Sequence, residues 1–298
     1  MTIVFFLMRV LPGDVVLMIL GEESSQIDPV QYETMRNELG LNLPLWDQYI
    51  SWIGNFFRGD MGVSLWTGVD VWDEILVRLP YSLTMIFMAI VISAIVAVPV
   101  GVFSAIKQDS IFDYGLRIFA IAGLSIPSFW FGLLILLLFV TSFNWSPPLE
   151  YAPVFKNPGI AFQQLILPAI VLGYRSSAVA ARMMRSSMLE VMREDYVRTA
   201  WAKGLRERVV IMTHAVRNAI LPVITLFGLE IVMIFSSAVI VETIFNVPGV
   251  GRLLVDAIKV RDVVMVQGVV SFVIIFVLVV NLAIDLIYAK VDPRVRLN

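Results

Sequence analysis

The sequence has no cysteine and only one histidine, His214. A chain without cysteine cannot form disulfide bonds, bind a metal through thiolates or use a thiol as a nucleophile. A single histidine makes a histidine-built metal site implausible, because such sites combine several imidazoles. The sequence therefore predicts that the chain has no metal centre of either kind.

Charged residues are scarce as well. They make up 15% of the 298 residues, whereas an ordinary globular domain has about 25%. Hydrophobic residues account for 59%, against about 45–50% in soluble domains. The net charge of −2 carries little information, because in a membrane protein the position of each charge matters more than the sum. Composition predicts a protein that contacts membrane lipid and has no nucleic-acid partner.

Catalytic and nucleotide-binding motifs are also missing. The chain has no Gly-x-x-x-x-Gly-Lys-Ser/Thr motif, so no phosphate-binding loop is predicted. His214 lies in a polar interval between apolar runs, which disfavours an intramembrane serine–histidine pair. The chain is therefore predicted not to be an enzyme and to bind no cofactor itself.

Five apolar runs are long enough to approach the roughly 20 residues of a membrane-spanning helix. They cover residues 83–106, 116–143, 165–184, 220–240 and 263–287. In the second run, Pro127 and Gly132 predict a kink or a packing notch. The third run is weak, because Arg175, Ser176 and Ser177 interrupt it. Residues 144–162 contain four prolines and are predicted to form a loop.

The first 82 residues differ from this pattern. Residues 1–21 contain too short an apolar run for a complete span, and we interpret them as the outer end of a first helix whose inner part is missing. A mis-assigned start codon is the preferred explanation, and a naturally short protein is the alternative. Residues 22–82 form an acidic segment with two predicted amphipathic helices, 30–39 and 45–57, and with aromatic residues that suit a membrane–water interface.

The other informative region is the polar interval 185–219. Between Arg182 and Arg217 the chain has eight basic and four acidic residues. Because positively charged loops stay in the cytoplasm, this interval and the basic tail 291–298 are predicted to be cytoplasmic, and the acidic segment 22–82 external. Helix-forming residues run up to Gly204, a typical helix stop, and a second helical run is predicted from 208 to 220, ahead of Leu221-Pro222.

Residues 195–205 (DYVRTAWAKGL), followed by 214–222 (HAVRNAILP), closely resemble the "EAA" loop of ABC-importer permeases, in the branch that imports dipeptides, oligopeptides and nickel. The general importer pattern opens Glu-Ala-Ala, whereas Arg198, Thr199 and Ala200 hold those places here. The resemblance extends to RVLPGD (9–14), GLNLPL (40–45), GDMGVS (59–64), ETIFNVPGVG (242–251) and NLAIDLIY (281–288).

This resemblance implies an all-α polytopic membrane protein with the type I ABC importer transmembrane fold, here with five complete spans plus a truncated first helix. It implies a core permease domain at 83–290 in the cytoplasmic or inner membrane of a bacterium or archaeon. The implied partners are a second homologous permease, two ABC ATPase subunits that bind ATP and Mg, and an extracytoplasmic substrate-binding protein.

The resemblance also implies roles for individual residues. The loop would form a coupling helix that docks on an ATPase subunit. The residues expected to carry this contact are Glu194, Asp195, Tyr196, Arg198, Thr199, Ala200, Ala202, Lys203, Gly204 and Leu205. Glu242, Pro248, Gly249 and Gly251 are expected to form a sharp turn at the outer surface, near the docking site of the binding protein.

Charged residues inside spans are costly and usually face protein or water. Glu230, Arg175 and Ser176 are therefore candidates for the translocation pathway, where Glu230 would attract an amino group or cation and Arg175 a carboxylate. Two structural alternatives stay open. Glu230 could be a protonated or hydrogen-bonded packing residue, and the long side chain of Arg175 could reach a helix end or neighbouring carbonyls.

The sequence favours a permease subunit of an ATP-driven importer, with di- or oligopeptides as the expected solute. A nickel chelate or another small solute is the alternative within that class. An ion-driven secondary transporter would need an internal inverted repeat, and none is recognisable. An intramembrane hydrolase would need a paired-Asp or Ser–His site, for which Asp285 and His214 have no counterparts.

Overall fold

In the computed structural model the chain is described at residues 1–10, 16–17, 29–38, 40–148 and 153–291, with only the backbone at 10, 38 and 287–291. Helices dominate these ranges, and the only extended pairing within them is an isolated bridge between Val63 and Asp70. The helices are α1 (Thr2–Val10), α2 (Pro29–Glu38), α3 (Leu45–Phe57), α4 (Val71–Ile106), α5 (Ile111–Ser125), α6 (Ser128–Phe143), α7 (Pro158–Val191), α8 (Asp195–Ala202), α9 (Glu207–Ile244), α10 (Val250–Lys259) and α11 (Val263–Val291).

Four of the described helices are long and apolar enough to cross a membrane: α4, α7, α9 and α11. The pair α5 and α6 adds a fifth candidate if it is counted as one span, but the two helices meet at 108°. The break lies at Ile126 and Pro127, where Ile126 is extended (φ −82°, ψ 122°) because a residue before proline avoids helical angles. The predicted kink is therefore confirmed, but it divides the run into two helices.

Helix α7 corrects two expectations from the sequence. It runs without interruption through Arg175, Ser176 and Ser177, and it begins at Pro158, inside the predicted loop. Proline suits a first helical turn because its missing N–H has no partner there in any case. In the apolar stretch of α7, 72% is buried within the protein, against 22–33% in the other three helices. Ser176 and Ser177 are buried within the protein, whereas Arg175 is exposed, and the helix continues through all three, so the weak hydropathy did not indicate a break.

Two glycines bring α4 and α7 into close contact. A Cβ added at Gly173 of α7 would lie 2.8 Å from the carbonyl oxygen of Ala89 in α4. A Cβ added at Gly101 of α4 would lie 2.5 Å from the Cβ of Met184 in α7. Each helix thus has a glycine at the point where the other helix approaches it. Such small residues allow close packing between membrane helices.

Helix α9 unites two runs that the sequence analysis described separately, 208–220 and 220–240. It continues from Glu207 through Pro222 to Ile244. One part of it, Val210–Val216, is π-helical and lies just before the proline. Proline is tolerated inside membrane helices when local adjustments re-satisfy the freed backbone groups. The second helical run and the fourth apolar run are therefore one helix.

The chain divides into two compact units. The first comprises the described residues of 1–80 together with 249–278. Its core contains Phe56, Ile75, Val250, Leu253 and Val269. Helix α3 has the bounds predicted from the sequence, and its aromatic face packs on α1. Those aromatic contacts join Phe5 and Phe6 to Trp46, Tyr49 and Trp52.

The second unit comprises the described residues of 81–248 and 279–291. Its core lies among α4, α7 and α9, and contains Ala97, Ala181, Met184, Met188 and Ala215. In the same unit the predicted packing notch at Gly132 is confirmed, because a Cβ there would lie 3.2 Å from the ring of Phe245. The division into 1–21, 22–82, 83–290 and 291–298 concerns position in the membrane and stays a prediction.

Candidate functional site

Helix α8 ends in a Schellman motif, which defines the shape of the polar loop. The N–H of Gly204 donates to the carbonyl of Trp201 (2.9 Å), and the N–H of Leu205 donates to that of Ala200 (3.4 Å). Gly204 is left-handed (φ +74°), a conformation that costs glycine little. The helix stop predicted at Gly204 is confirmed, and the turn directs Leu205 back toward α9.

The buried side of α8 is small and apolar. Val197 and Ala200 are buried with Val210 of α9, and Val191 and Met192 pack against them. Ala200 was expected to contact an ATPase subunit, but it is only 4% exposed and faces the protein. It packs with Val197 and Val210, so it contributes to the contact between α8 and α9.

A polar contact fastens the same two helices. The hydroxyl of Tyr196 accepts a hydrogen bond from the Asn218 amide (2.9 Å), which also donates to the carbonyl of His214 (3.0 Å). Tyr196 thus links the two halves of the motif, 195–205 and 214–222. His214 takes part through its backbone, not through its imidazole.

The opposite side of α8 is exposed, and we call it the coupling surface after the role expected from the sequence. Its residues expected from the sequence are Glu194, Asp195, Tyr196, Arg198, Thr199, Ala202, Lys203, Gly204 and Leu205. The structure adds Trp201, which is 42% exposed. The sequence analysis missed this residue, although a tryptophan in a polar loop is itself a signal, since tryptophan is enriched where proteins bind one another.

The three pathway candidates lie together. Glu230 of α9 lines one cavity with Arg175 and Ser176 of α7. Ser128 and Ser237 line the same cavity, and the sequence analysis did not assign them to the pathway. The Ser176 hydroxyl is buried and has no partner of hydrogen-bond geometry, although the Glu230 carboxylate lies near it. The cavity holds only about 10 Å³, so it is too small for a solute in this conformation.

The predicted turn after α9 is present but is largely buried. Asn246 has a positive φ of 58°, and Gly249 precedes the first residue of α10. Glu242 is 1% exposed, and its carboxylate accepts a hydrogen bond from the Ser82 hydroxyl at 2.6 Å. Gly249 and Gly251 are buried too. Glu242, Gly249 and Gly251 therefore shape the turn from within the protein, and its position at the outer side of the membrane stays a prediction.

Comparisons with known proteins decide the family. Residues 97–297, more than half of the chain, match the family described as "Binding-protein-dependent transport system inner membrane component". The chain belongs to this family. It is thus a permease subunit of an inner-membrane transport system, as the loop motif indicated.

Two relatives cover nearly the whole permease. It is 40% identical to the di/tripeptide transport system permease protein DppB of Pseudomonas aeruginosa and to the dipeptide transport system permease protein DppB of Escherichia coli K12. Both alignments cover 98% of this chain and 92% of the relative. A solved structure, the crystal structure of an amino acid ABC transporter with histidines, matches with a TM-score of 0.52 and 15% identity, over 73% of this chain and 94% of that one. This likeness confirms the ABC permease fold.

A buried ionic cluster in the permease was missed from the sequence. Asp113 of α5 is fully buried and accepts hydrogen bonds from Arg185 of α7 (2.8 and 2.9 Å) and from Arg117 (2.6 Å). The Ser104 hydroxyl of α4 also donates to Asp113. We call these four residues the Asp113 cluster. The sequence did contain one indication of this cluster, because Asp113 and Arg117 lie four residues apart on an apolar helix and can therefore form an ion pair.

The Asp113 cluster connects the membrane helices to the coupling surface. It joins the end of α4, the start of α5 and the last third of α7. Residues 192–194 alone separate the end of α7 from α8. A carboxylate held by two guanidinium groups has restricted geometry, so the cluster positions the helix end from which α8 emerges. Among the described residues, no group of three or more possible metal ligands occurs.

Proposed function

We propose that this permease subunit forms half of the translocation pathway of an ATP-driven importer of di- or oligopeptides. The observation that carries the proposal is 40% identity over 98% of the chain with relatives named as di/tripeptide and dipeptide permeases. A second, homologous permease subunit supplies the other half. A binding protein outside the membrane delivers the peptide.

Energy enters through the coupling surface. Two ATPase subunits bind ATP and Mg beneath the membrane, and each docks against the α8 helix of one permease. The exposed face of α8 combines charged groups with the aromatic ring of Trp201, which suits a protein contact. Its opposite face is packed against α9, so a displacement of α8 is transmitted to the long helix that contains Glu230.

The solute passes Glu230, Arg175 and Ser176. A peptide with free ends has an ammonium and a carboxylate, and the cavity offers one side chain of each opposite charge. Because the cavity is nearly closed, we expect the peptide to pass only after ATP-driven movement opens it. The basic loop 185–219 lies in the cytoplasm and the acidic segment 22–82 lies outside, in agreement with the distribution of positive charge.

The alternatives differ in solute and in energy source. A nickel chelate would need the same coupling surface but a different binding protein, and relatives named for dipeptides favour the peptide. An ion-gradient-driven transporter needs neither an ATPase nor a binding protein. Because the chain belongs to a binding-protein-dependent family, the family assignment favours the ATP-driven importer over that alternative.

The test is reconstitution of the permease with its second permease, ATPase subunits and binding protein in proteoliposomes. Dipeptides are expected to stimulate ATP hydrolysis several-fold and to accumulate inside, whereas nickel chelates do neither. Ala202→Glu, which adds a charge to the exposed face of α8, is expected to abolish the stimulation. Glu230→Gln is expected to lower uptake while the ATPase subunits stay bound. Stimulation by nickel chelates alone, or by neither ligand, would contradict the peptide proposal.

A further inference from the structure

A cavity between three helices is assigned to none of the steps above. It holds about 540 Å³, within the range of small-molecule sites, and it lies among α4, α5 and α7. Its lining has two chemically distinct parts. The apolar part consists of Val100, Leu116, Ala120, Ile121, Leu124 and Ala181, and the polar part includes Arg117, Arg182, Arg185, Gln108 and Ser186. We call it the arginine cavity.

The polar part is cationic even after its acidic neighbours are counted. Three arginines line it, while two carboxylates, Asp109 and Asp113, contact Arg117 or Arg185, so three positive minus two negative charges leave +1. Arg182 is exposed and has no ion pair with any described residue. No Asp or Glu is among the described residues that line the cavity, and the two carboxylates counted here contact its arginines from outside it. The excess charge is therefore located at Arg182.

One donor in this region is buried without a partner. The Nε of Arg117 is inaccessible to solvent and donates to no described acceptor, although its Nη2 contacts Asp109 and Asp113. A buried donor without a partner destabilises a protein, and the cost is larger for a charged group. Since this nitrogen has no accessible surface, an anion in the arginine cavity would meet Arg182 and the accessible part of the Arg117 side chain, which is 39% exposed.

We propose that the arginine cavity binds one anionic phospholipid of the membrane. Its phosphate contacts Arg182 and the accessible part of the Arg117 guanidinium, and an acyl chain lies along Val100, Leu116 and Ile121. A free phosphate ion would satisfy the arginines but would leave the apolar half in contact with water. A zwitterionic lipid would satisfy the apolar half but would bring no net charge. Basic cavities between membrane helices at the cytoplasmic side suit anionic headgroups.

The position of the arginine cavity would allow a bound lipid to affect transport of the solute. Arg117 and Arg185 belong both to the arginine cavity and to the Asp113 cluster, which holds the end of α7 just before α8. Lipid bound there would compete with or reinforce the ionic contacts that position the coupling surface. The placement in the cytoplasmic leaflet rests on the orientation given under the proposed function. Binding itself does not depend on the solute.

The experiment measures lipid binding to the delipidated, detergent-purified transporter complex by native mass spectrometry. Phosphatidylglycerol and phosphatidylethanolamine with identical acyl chains are compared. Arg182→Gln is expected to weaken phosphatidylglycerol binding about fivefold, which corresponds to about 1 kcal/mol per basic residue near an anionic lipid surface. Arg208→Gln is the matched control, since Arg208 is also an exposed arginine but does not line the cavity, and we expect no change.

A second pair of variants tests the apolar half. Ala120→Trp fills the cavity and is expected to reduce phosphatidylglycerol binding at least fivefold, whereas Ile111→Trp, on the exposed start of the same helix, is not. Equal binding of the two lipids, or an equal effect of Arg208→Gln, would overturn the proposal. Displacement of the lipid by inorganic phosphate alone would overturn it as well, because the site would then be an anion site. Peptide transport that fails while lipid binding behaves as expected would contradict the proposed function only.

Discussion

At the scale of single residues, Asp113 shows how a buried charge is compensated. Its carboxylate has no exposed surface and contacts the guanidinium groups of Arg117 and Arg185. Asp109 contacts the same Arg117 at 3.1 Å, but its side chain is 62% exposed. The two carboxylates share Arg117 as a partner and differ in burial. Comparing them therefore shows how much burial adds to the stabilising effect of an ion pair.

We predict that Asp113→Asn destabilises the protein by about 3 kcal/mol, because breaking a buried ion pair leaves charge without compensation. Asp109→Asn is expected to cost less than about 1 kcal/mol, as exposed ion pairs do. Asparagine also tolerates the positive φ of 59° at position 109. Thermal unfolding of the purified permease in detergent, followed by tryptophan fluorescence, measures both. Equal losses would show that burial does not decide the strength of these contacts.

At the scale of elements, the contact between α4 and α7 depends on how closely their backbones approach. Gly173 lies against the backbone of Ala89, where there is no flexible side chain that could move away. Gly159, in the first turn of the same α7, has no atom within 4 Å of an added Cβ. Helix α7 thus contains one glycine that has no room for a side chain, Gly173, and one that has, Gly159.

Gly173→Ala is predicted to destabilise the protein by about 1–3 kcal/mol, the usual cost of overpacking a close contact. Gly159→Ala is predicted to be neutral or to stabilise by up to about 1 kcal/mol, because alanine is the better helix former and meets no steric obstacle. Denaturant or thermal unfolding of the two variants gives the comparison. Loss of stability in Gly159→Ala alone would show that helix propensity and contact distance do not control this region.

The elements also show where sequence reasoning succeeded. The bounds of α3, the turn at Gly204 and the break near Pro127 followed from local chemistry, because proline and glycine restrict or widen the backbone angles of their own neighbourhood. The continuity of α7 and α9 did not follow. Whether Arg175 or Pro222 ends a helix depends on which groups surround it, and those groups come from distant parts of the chain.

At the scale of the whole molecule, the permease presents apolar helix faces for lipid or protein to cover. Along α6, Gly132 is buried, whereas large apolar side chains around it are exposed. The exposed ones are Phe129, Trp130, Leu133, Leu134, Leu137, Leu138 and Val140. Such a surface is stable within a bilayer and within an assembly of subunits, and it is consistent with a chain that works as one part of a transporter.

The coupling surface makes the corresponding prediction for assembly. Trp201→Ala is expected to weaken binding of the ATPase subunit by at least about 2 kcal/mol, since exposed tryptophans are frequent hot spots of protein interfaces. The protein itself should remain folded, because Val197 and Ala200, not Trp201, attach α8. Titration of the ATPase subunit onto the permease pair in nanodiscs measures the dissociation constant.

Phe155→Ala is the control for this measurement, since Phe155 is an exposed aromatic residue in the predicted external loop. It should leave the affinity for the ATPase subunit unchanged. An equal loss in both variants would indicate a general effect of removing surface aromatics and would remove the case for α8 as the docking helix. No loss in either variant would place the ATPase contact elsewhere on the chain.

The sequence alone determined that this chain is a helical membrane protein, which runs could span, where the polar loop with the resembled motif lies and which family it resembles. These features depend on composition, hydropathy and contiguous motifs, all of which are local. Only the tertiary structure decided that Ala200 faces inward, that Glu242 is buried, and that Asp113 meets Arg185 across 72 positions. Those facts depend on how helices distant in sequence pack together, because burial and ion pairing are properties of the assembled fold and not of any segment.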